Sequence, residues 1–364
     1  MMWSPTTEQI LGLDGVSHRV DRFRFELCDQ RYRPIGELHP DRTGSVPSIE
    51  VDTSATTSRR LSGLRLLPDE AGDVDPITDR LRVWMVLQNG AEFLLGTFLW
   101  ADASRPDRSW GVELHSDLVD LGFVLDQPAT EAFGWGRGAQ IGLIVLFLFM
   151  RAGFELDDIS PLSESASTKT LVEPIAFNPG TTWATMLEDL TMLLGWGRPW
   201  FDRFGQLRLG RIPDPEIAQP TVPAYDVGTR VIADSILRSD DILAAPNDFA
   251  VTDSGTEQMI IGRYQLPASA PHSFQRRGFR VGLVESGQGI VSKQQADIAA
   301  TWLAVAKGSA YRWVSFSTTA DPRHDMWDVI DVFGVRSLET KWGMQLRSGG
   351  EMTHTVRQTG FEVR

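Results

Sequence analysis

The sequence predicts a mainly β protein with an α+β insert, built as two barrel-like sheet domains with helical segments between them. Three observations predict it. Period-two alternation of apolar and polar residues is concentrated in the first third of the chain and again at its end. Helix-period stripes fall between those groups, and a proline-rich break, with Pro213, Pro215, Pro220 and Pro223, separates the middle of the chain from its last part. A chain of 364 residues divided by a domain size of roughly 150 gives two to three domains.

The elements run in order. Phe23, Phe25 and Leu27 alternate with Arg22, Arg24 and Glu26, as in a strand with one wet face, and Ile49 and Val51 continue the pattern after several prolines and glycines. Leu81–Leu87 and Ala91–Trp100 flank Gln88-Asn89-Gly90, and Asn-Gly predicts a type I′ hairpin turn. Trp110 to Leu114 returns as another strand. Near Asp126 the character changes. Ile141 to Met150 reads as a helix hydrophobic on all sides, hence buried in a core or at a subunit seam, and stopped by Gly153. Ser160 to Thr170 is a polar loop. Thr181 or Thr182 caps a second helix whose Trp183, Leu187, Leu190 and Leu194 form one stripe. Trp200-Phe201, the turn Asp202–Gly205 and Gln206–Leu209 form a short hairpin. Past the proline linker come strand-like pieces at Val231-Ile232 and Phe249–Val251, then a Gly/Pro/Ser-rich stretch from Gly262 to Gly278. Ser292 and Gln295 form a capping pair for a helix that buries Ala296, Ala299, Ala300 and Leu303 before Gly308. Tyr311–Ser317, Trp327–Phe333, Lys341–Arg347 and Glu351–Arg357 close the chain as strands. The predicted division is 1–125 for the first barrel-like domain, 126–215 for the α+β domain, 216–258 with 309–364 for the second barrel-like domain, and 259–308 for an inserted helix-containing element.

Composition excludes several classes. The net charge of −13 opposes tight nucleic-acid binding, because affinity for phosphate backbones comes from clustered Lys and Arg. The single cysteine, Cys28, rules out an internal disulfide, a Cys-rich zinc module and a paired-thiol redox motif. As a helix, Ile141–Met150 would span about 15 Å, half the hydrocarbon thickness of a bilayer, so no membrane span is expected. Met1 to Gln30 has no apolar run of signal-peptide length, so the mature chain is expected to start near Met1.

Candidate chemistry is sparse. There is no Gly-x-Ser-x-Gly elbow, and Cys28 lies within a strand pattern as a structural thiol. Gly134-Trp-Gly-Arg-Gly138 lacks the Lys-Ser/Thr of a phosphate loop and reads as a turn before a helix. Asp321-Pro-Arg-His-Asp325 with Asp328 and Asp331 is the densest polar group. A metal site there would use His324, Asp325 and Asp328, but no second histidine lies close in sequence, so the group reads as a charged hairpin end. Asp157-Asp158 and Asp240-Asp241 are acidic pairs on loops. The expectation is therefore no catalytic, cofactor-binding or metal residues, and no cofactor. Trp183, Trp302 and Trp313 fall on apolar or alternating faces, as core or subunit contacts.

Asn178-Pro-Gly-Thr-Thr-Trp183, then Gly195-Trp-Gly-Arg-Pro-Trp-Phe-Asp-Arg-Phe-Gly-Gln-Leu-Arg-Leu209, resembles the middle region of tail-tip hub proteins (minor tail proteins) of long-tailed phages, especially those of actinobacteria. Ser292-Lys-Gln-Gln-Ala-Asp297, Asp321-Pro-Arg-His-Asp-Met-Trp-Asp-Val329 and Trp342-Gly-Met-Gln-Leu-Arg-Ser-Gly-Gly-Glu-Met352 extend the resemblance over nearly the whole chain. The resemblance implies two tail-tube-like β-barrel domains and a homotrimer whose six barrels match three-fold to six-fold symmetry at the end of a non-contractile tail. It also implies a virion location at the tail tip and contacts with the distal tail protein ring, the tape measure protein and receptor-binding proteins. Genome DNA would pass without being gripped. The chain stops at Arg364, so a C-terminal peptidase or lysin is not expected. Two rival readings stand beside it. One is a β-rich carbohydrate-active or peptidoglycan-cleaving enzyme using two acids; the other is a carbohydrate-binding module presenting Trp faces.

Overall fold

The computed structural model describes residues 21–41, 46–109, 111–159, 168–215, 217–222, 224–226, 231–232, 235–240, 245–253, 260–270, 272–287, 290, 292–307 and 312–358. The expectations for the chain start, for most of the Ser160–Thr170 loop, and for Trp110, Pro223, Asp241, Gly308, Tyr311 and Arg364 lie outside the described residues.

The first part contains β1 (Arg22–Cys28), β2 (Pro34–Leu38), β3 (Ser48–Asp52), β4 (Arg59–Leu66), α1 (Pro68–Ala71), β5 (Arg80–Val86) and β6 (Glu92–Ser104). The ribbon β7 (Asp107–Arg108) and β8 (Gly111–Val112) comes next, then β9 (Leu114–Val119) and α2 (Gly122–Leu125). The middle carries β10 (Phe133–Trp135), α3 (Ile141–Arg151), β11 (Ile175–Phe177), α4 (Trp183–Leu193), β12 (Trp200–Phe201) and β13 (Leu207–Arg208). The last part has β14 (Leu237–Asp240), β15 (Asp248–Asp253), β16 (Ile261–Gln265), α5 (Phe274–Arg277), β17 (Gly282–Gly287) and α6 (Lys293–Lys307). It ends with β18 (Arg312–Thr319), β19 (Val329–Val332), β20 (Val335–Gln345) and β21 (Glu351–Gln358).

The strands of the two ends belong to one antiparallel sheet of twelve strands, in the order β14-β18-β21-β20-β3-β4-β9-β6-β5-β1-β2, with β19 beside β20. The sequence predicts two separate barrel-like sheets. The structure instead splices both groups into one open sheet, with no closed barrel among the described residues. The splice is the β20–β3 pair, with Trp342 opposite Val51 and Met344 opposite Ile49. All four side chains are buried, and pairing satisfies the backbone groups that each strand would otherwise leave at an apolar edge. One core therefore runs across the splice, joining Phe25, Leu61 and Phe98 to Met326, Trp342 and Met352, while Val314, Phe316, Ile330, Val332 and Val356 form a second cluster with Tyr225.

Local patterns carry most of the elements. The hairpin β5–β6 forms in the expected place but with a different turn. Leu87 N–H donates to Ala91 O at 2.9 Å and Gly90 N–H to Leu87 O at 2.9 Å, and of the loop residues Gly90 alone has positive φ, +86°. That is a three-residue loop with glycine at a G1 bulge rather than a type I′ turn, which would need Asn89 left-handed as well. Thr182 caps α4 by accepting Thr185 N–H at 3.1 Å, and Ser292 does the same for Gln295 at the start of α6. Helix α6 packs on a separate three-stranded sheet, β16-β15-β17, burying Ala296, Ala299, Ala300 and Leu303. Gly262 is obligatory there, since a Cβ would collide with the Ala296 carbonyl group.

Helix α3 corrects one expectation. Ile144, Val145, Leu148 and Phe149 are buried against α4, but Leu143, Phe147 and Met150 are 61%, 44% and 52% exposed, so the helix is not buried all round in a single chain. No helix among the described residues is long and apolar enough to cross a membrane.

Candidate functional site: a buried polar junction beside an aromatic cleft

The hairpin between β12 and β13 is rigid for reasons visible in its residues. Asp202 Oδ1 accepts the backbone N–H groups of Phe204 at 2.9 Å and Gln206 at 3.0 Å, and its Oδ2 accepts Arg208 Nε at 2.7 Å. Gly205, at φ +80°, lets the turn approach Thr97 and Leu121 closely. The turn thereby drives Arg203 into the interior, where it is 2% exposed. Its guanidinium donates to Asp325 Oδ2 at 3.0 Å and to the carbonyls of Leu94 at 3.4 Å, Pro322 at 2.7 Å, Arg323 at 3.0 Å and His324 at 2.7 Å. Thr97 Oγ1 donates to the Arg203 carbonyl at 3.0 Å. Asp325 also accepts Arg59 Nη2 at 2.5 Å. One arginine thus ties the middle hairpin to β6 and to the 321–325 loop, while one aspartate ties that loop to β4.

This overturns the reading of Asp321–Asp325 as a charged hairpin end. Asp321, Arg323, His324 and Asp328 are all buried. Asp321 takes Arg323 in a two-pronged pair, Nε at 2.9 Å and Nη2 at 2.6 Å. Burial opposes ionisation of Asp325, yet Arg203 and Arg59 hold its carboxyl down to about 2. At Asp321 burial is likewise outweighed, by Arg323, and the carboxyl lies well below the ordinary range. Asp328 lacks such a guanidinium contact, and burial pushes its carboxyl up to about 7 against the opposing influence of His324.

The sequence shows no second histidine near His324; the sheet supplies one. His354 on β21 and His324 both face Glu339 on β20, with His324 Nδ1 to Oε2 at 2.5 Å and His354 Nδ1 to Oε1 at 2.7 Å. Tyr225 Oη meets His324 Nε2 at 2.5 Å, Thr318 Oγ1 meets His354 Nε2 at 2.8 Å, and Phe316 stacks on His354 at 4.8 Å. Asp325 and Asp328 do not join His324 in a cluster of donors. Asp328 Oδ2 accepts the Asp325 N–H at 2.6 Å instead. Among the described residues, His324, Glu339 and His354 are the group of donors close enough to share an ion. Alternation along β21 was the only signal for His354, and it marks a face, not a partner.

Beside the junction lies a cleft of about 700 Å³, with Trp196, Trp302, Trp313 and Trp327 among its lining residues. Trp302 and Trp313 are therefore cleft residues rather than closed core. Arg211 lies over the Trp302 ring at 5.0 Å. Of the acids at the cleft, Glu188 is held by Arg198 at 3.4 Å and Asp52 by Lys341 at 3.8 Å. Lys341 also pairs with Glu50. Cys28 is fully buried, and burial pushes its thiol up to about 11, so it stays protonated and unreactive. The Gly134–Gly138 segment runs from the middle of β10 into a turn before α3, with Gly138 at φ +86°.

No family model and no curated protein sequence matches the chain. Solved structures do match it in fold. The 43 kDa tail protein of prophage MuSo2 from Shewanella oneidensis superposes with a TM-score of 0.62 at 11% identity, covering 92% of this chain and 98% of that one. The tail protein from Neisseria meningitidis MC58 gives 0.61 at 12% identity over 93% and 97% of the two chains. Prophage tail protein gp18 of Listeria monocytogenes EGD-e gives 0.53 at 11% identity over 91% and 94%. Over about nine-tenths of the chain, its fold is similar to that of these prophage tail proteins.

Proposed function

We propose that this chain is a structural tail-tip or baseplate hub of a long-tailed phage with a non-contractile tail, its host an actinobacterium. The observation that carries the reading is the nearly full-length match, in both directions, to prophage tail proteins. A shared piece would indicate a common module; a shared whole indicates a common architecture. In this reading residues 1–125 and 216–258 with 309–364 act as two tail-tube-like units, spliced by β3 and β20. Residues 126–215 and 259–308 are the α+β and helix-containing additions. Three copies form a ring seated on the distal tail protein ring, in contact with the tape measure protein and receptor-binding proteins. The ring closes because a heterologous contact repeats by a rotation that returns to its start. It lies at the virion tail tip and does no catalysis.

The acidic charge fits a channel that DNA must leave quickly, since each phosphate contact by Lys or Arg would add affinity and slow passage. The test is electron microscopy of the purified protein and of virions labelled with an antibody to it, together with light scattering for mass. A three-fold ring and label at the tail end are expected. A monomer that releases sugars or peptides from cell walls would overturn the proposal in favour of an enzyme.

A further inference from the structure

We infer that His324, Glu339 and His354 form a binding site for one divalent transition ion of the zinc type. The three residues come from the 321–328 loop, β20 and β21, and all are buried. Their donor atoms lie within 4.8 Å of one another. Two imidazole nitrogens and a carboxylate oxygen are a donor set that suits zinc and its neighbours, and not calcium or magnesium, which take oxygen. A tetrahedral ion holds its nitrogen and oxygen donors roughly 3.3 Å apart. Binding one ion would open the contacts of 2.5 Å and 2.7 Å and close the widest donor separation, up to 4.8 Å, toward that value.

The outer contacts of both imidazoles are compatible with an ion between these groups. Each contact from Nδ1 to the Glu339 carboxylate needs a cation or a proton between two lone pairs. At His354 the proton has a competing place. The Thr318 hydroxyl carries one hydrogen and lies 2.9 Å from the Thr319 carbonyl, which can only accept. When it donates there, His354 can donate from Nε2 to Thr318 Oγ1 at 2.8 Å. In the neutral form Nδ1 then faces Glu339 Oε1 at 2.7 Å without a proton, a gap that an ion or a second proton on the ring fills. The same tautomer at His324 puts its Nε2–H on Tyr225 Oη. Both imidazoles then present Nδ1 inward and give their outer N–H to a fixed oxygen, the arrangement that orients metal-bound histidines. The nearby guanidiniums of Arg203 and Arg323 are bound to Asp325 and Asp321, and both oxygens of Glu339 face imidazoles. An ion here would clip the junction loop to the centre of β20 and β21, independently of whether the chain assembles into a ring.

The experiment uses the untagged full chain, stripped with a chelator, dialysed against zinc and then against metal-free buffer. One zinc per chain is expected, with X-ray absorption showing imidazole nitrogens and a carboxylate oxygen at about 2.0–2.1 Å. His324→Gln and His354→Gln should lose it. Tyr225→Phe, which removes the outer hydroxyl, should weaken it roughly ten- to hundredfold. His115→Gln, at a partly exposed histidine paired with Glu113, should leave it unchanged. A wild-type chain that retains no zinc, a zinc spectrum without imidazole scattering, or a folded His354→Gln protein that still binds one equivalent would overturn the site. Should the histidine variants fail to fold, the wild-type absorption spectrum alone decides it.

Discussion

Arg203 is the residue whose loss should cost most for its size. Its guanidinium serves one half-buried carboxylate and four buried carbonyls. Arg203→Ala leaves those acceptors without it and leaves Asp325 to Arg59. Removing one member of a buried ion pair costs roughly 3–5 kcal/mol, and the denaturation midpoint in urea should fall accordingly. Arg203→Lys keeps the charge but not the planar fork and should fall in between. Arg198→Ala, which breaks a half-exposed pair with Glu188, should change stability by less than about 1 kcal/mol. None of this was legible in the sequence. Local pattern places Asp202–Gly205 correctly as a hairpin turn, yet it reads the polar run at 321–325 as solvated. The arginines that hold Asp325 are 122 and 266 residues away, beyond the reach of any periodicity.

Elements were far more readable, because a strand or helix announces itself through its own neighbours. The caps at Thr182 and Ser292, the stripe on α4 and the alanine face of α6 are set directly by spacing. The exception is α3, where composition says that the helix is apolar but not what covers each side. Leu148 is fully buried and Leu143 is exposed. Leu148→Ala should therefore destabilise the chain by roughly 2–5 kcal/mol. Leu143→Asp should leave the melting of the isolated chain within about 0.5 kcal/mol. If the outer face of α3 is a subunit seam, the same change should abolish the ring seen by light scattering. An unchanged ring would remove α3 from the interface. Under the proposed ring, Leu143, Phe147 and Met150 on that helix face are the side chains such a seam would use.

At the scale of the molecule, the two groups of strands were legible and their union was not. Alternation identifies β3 and β20 equally well as strands, but nothing in either says that they pair with each other. The splice makes a stability prediction. Because a shared core crosses the splice and β20 pairs directly with β3, calorimetry should show the large sheet melting in a single transition. Separate transitions, with residues 1–125 folding alone, would mean that the splice is thermodynamically slight. The splice also has a consequence for synthesis. Val51 must wait for Trp342, which the ribosome adds roughly 290 residues later, and at about 5–20 residues per second the delay is roughly 15–60 s. For that interval the nascent chain holds a finished β3 with one bare, sticky border, able to recruit the same border on a neighbouring polysome. Slower initiation, which spaces the ribosomes apart, should therefore raise the soluble yield more than slower elongation does.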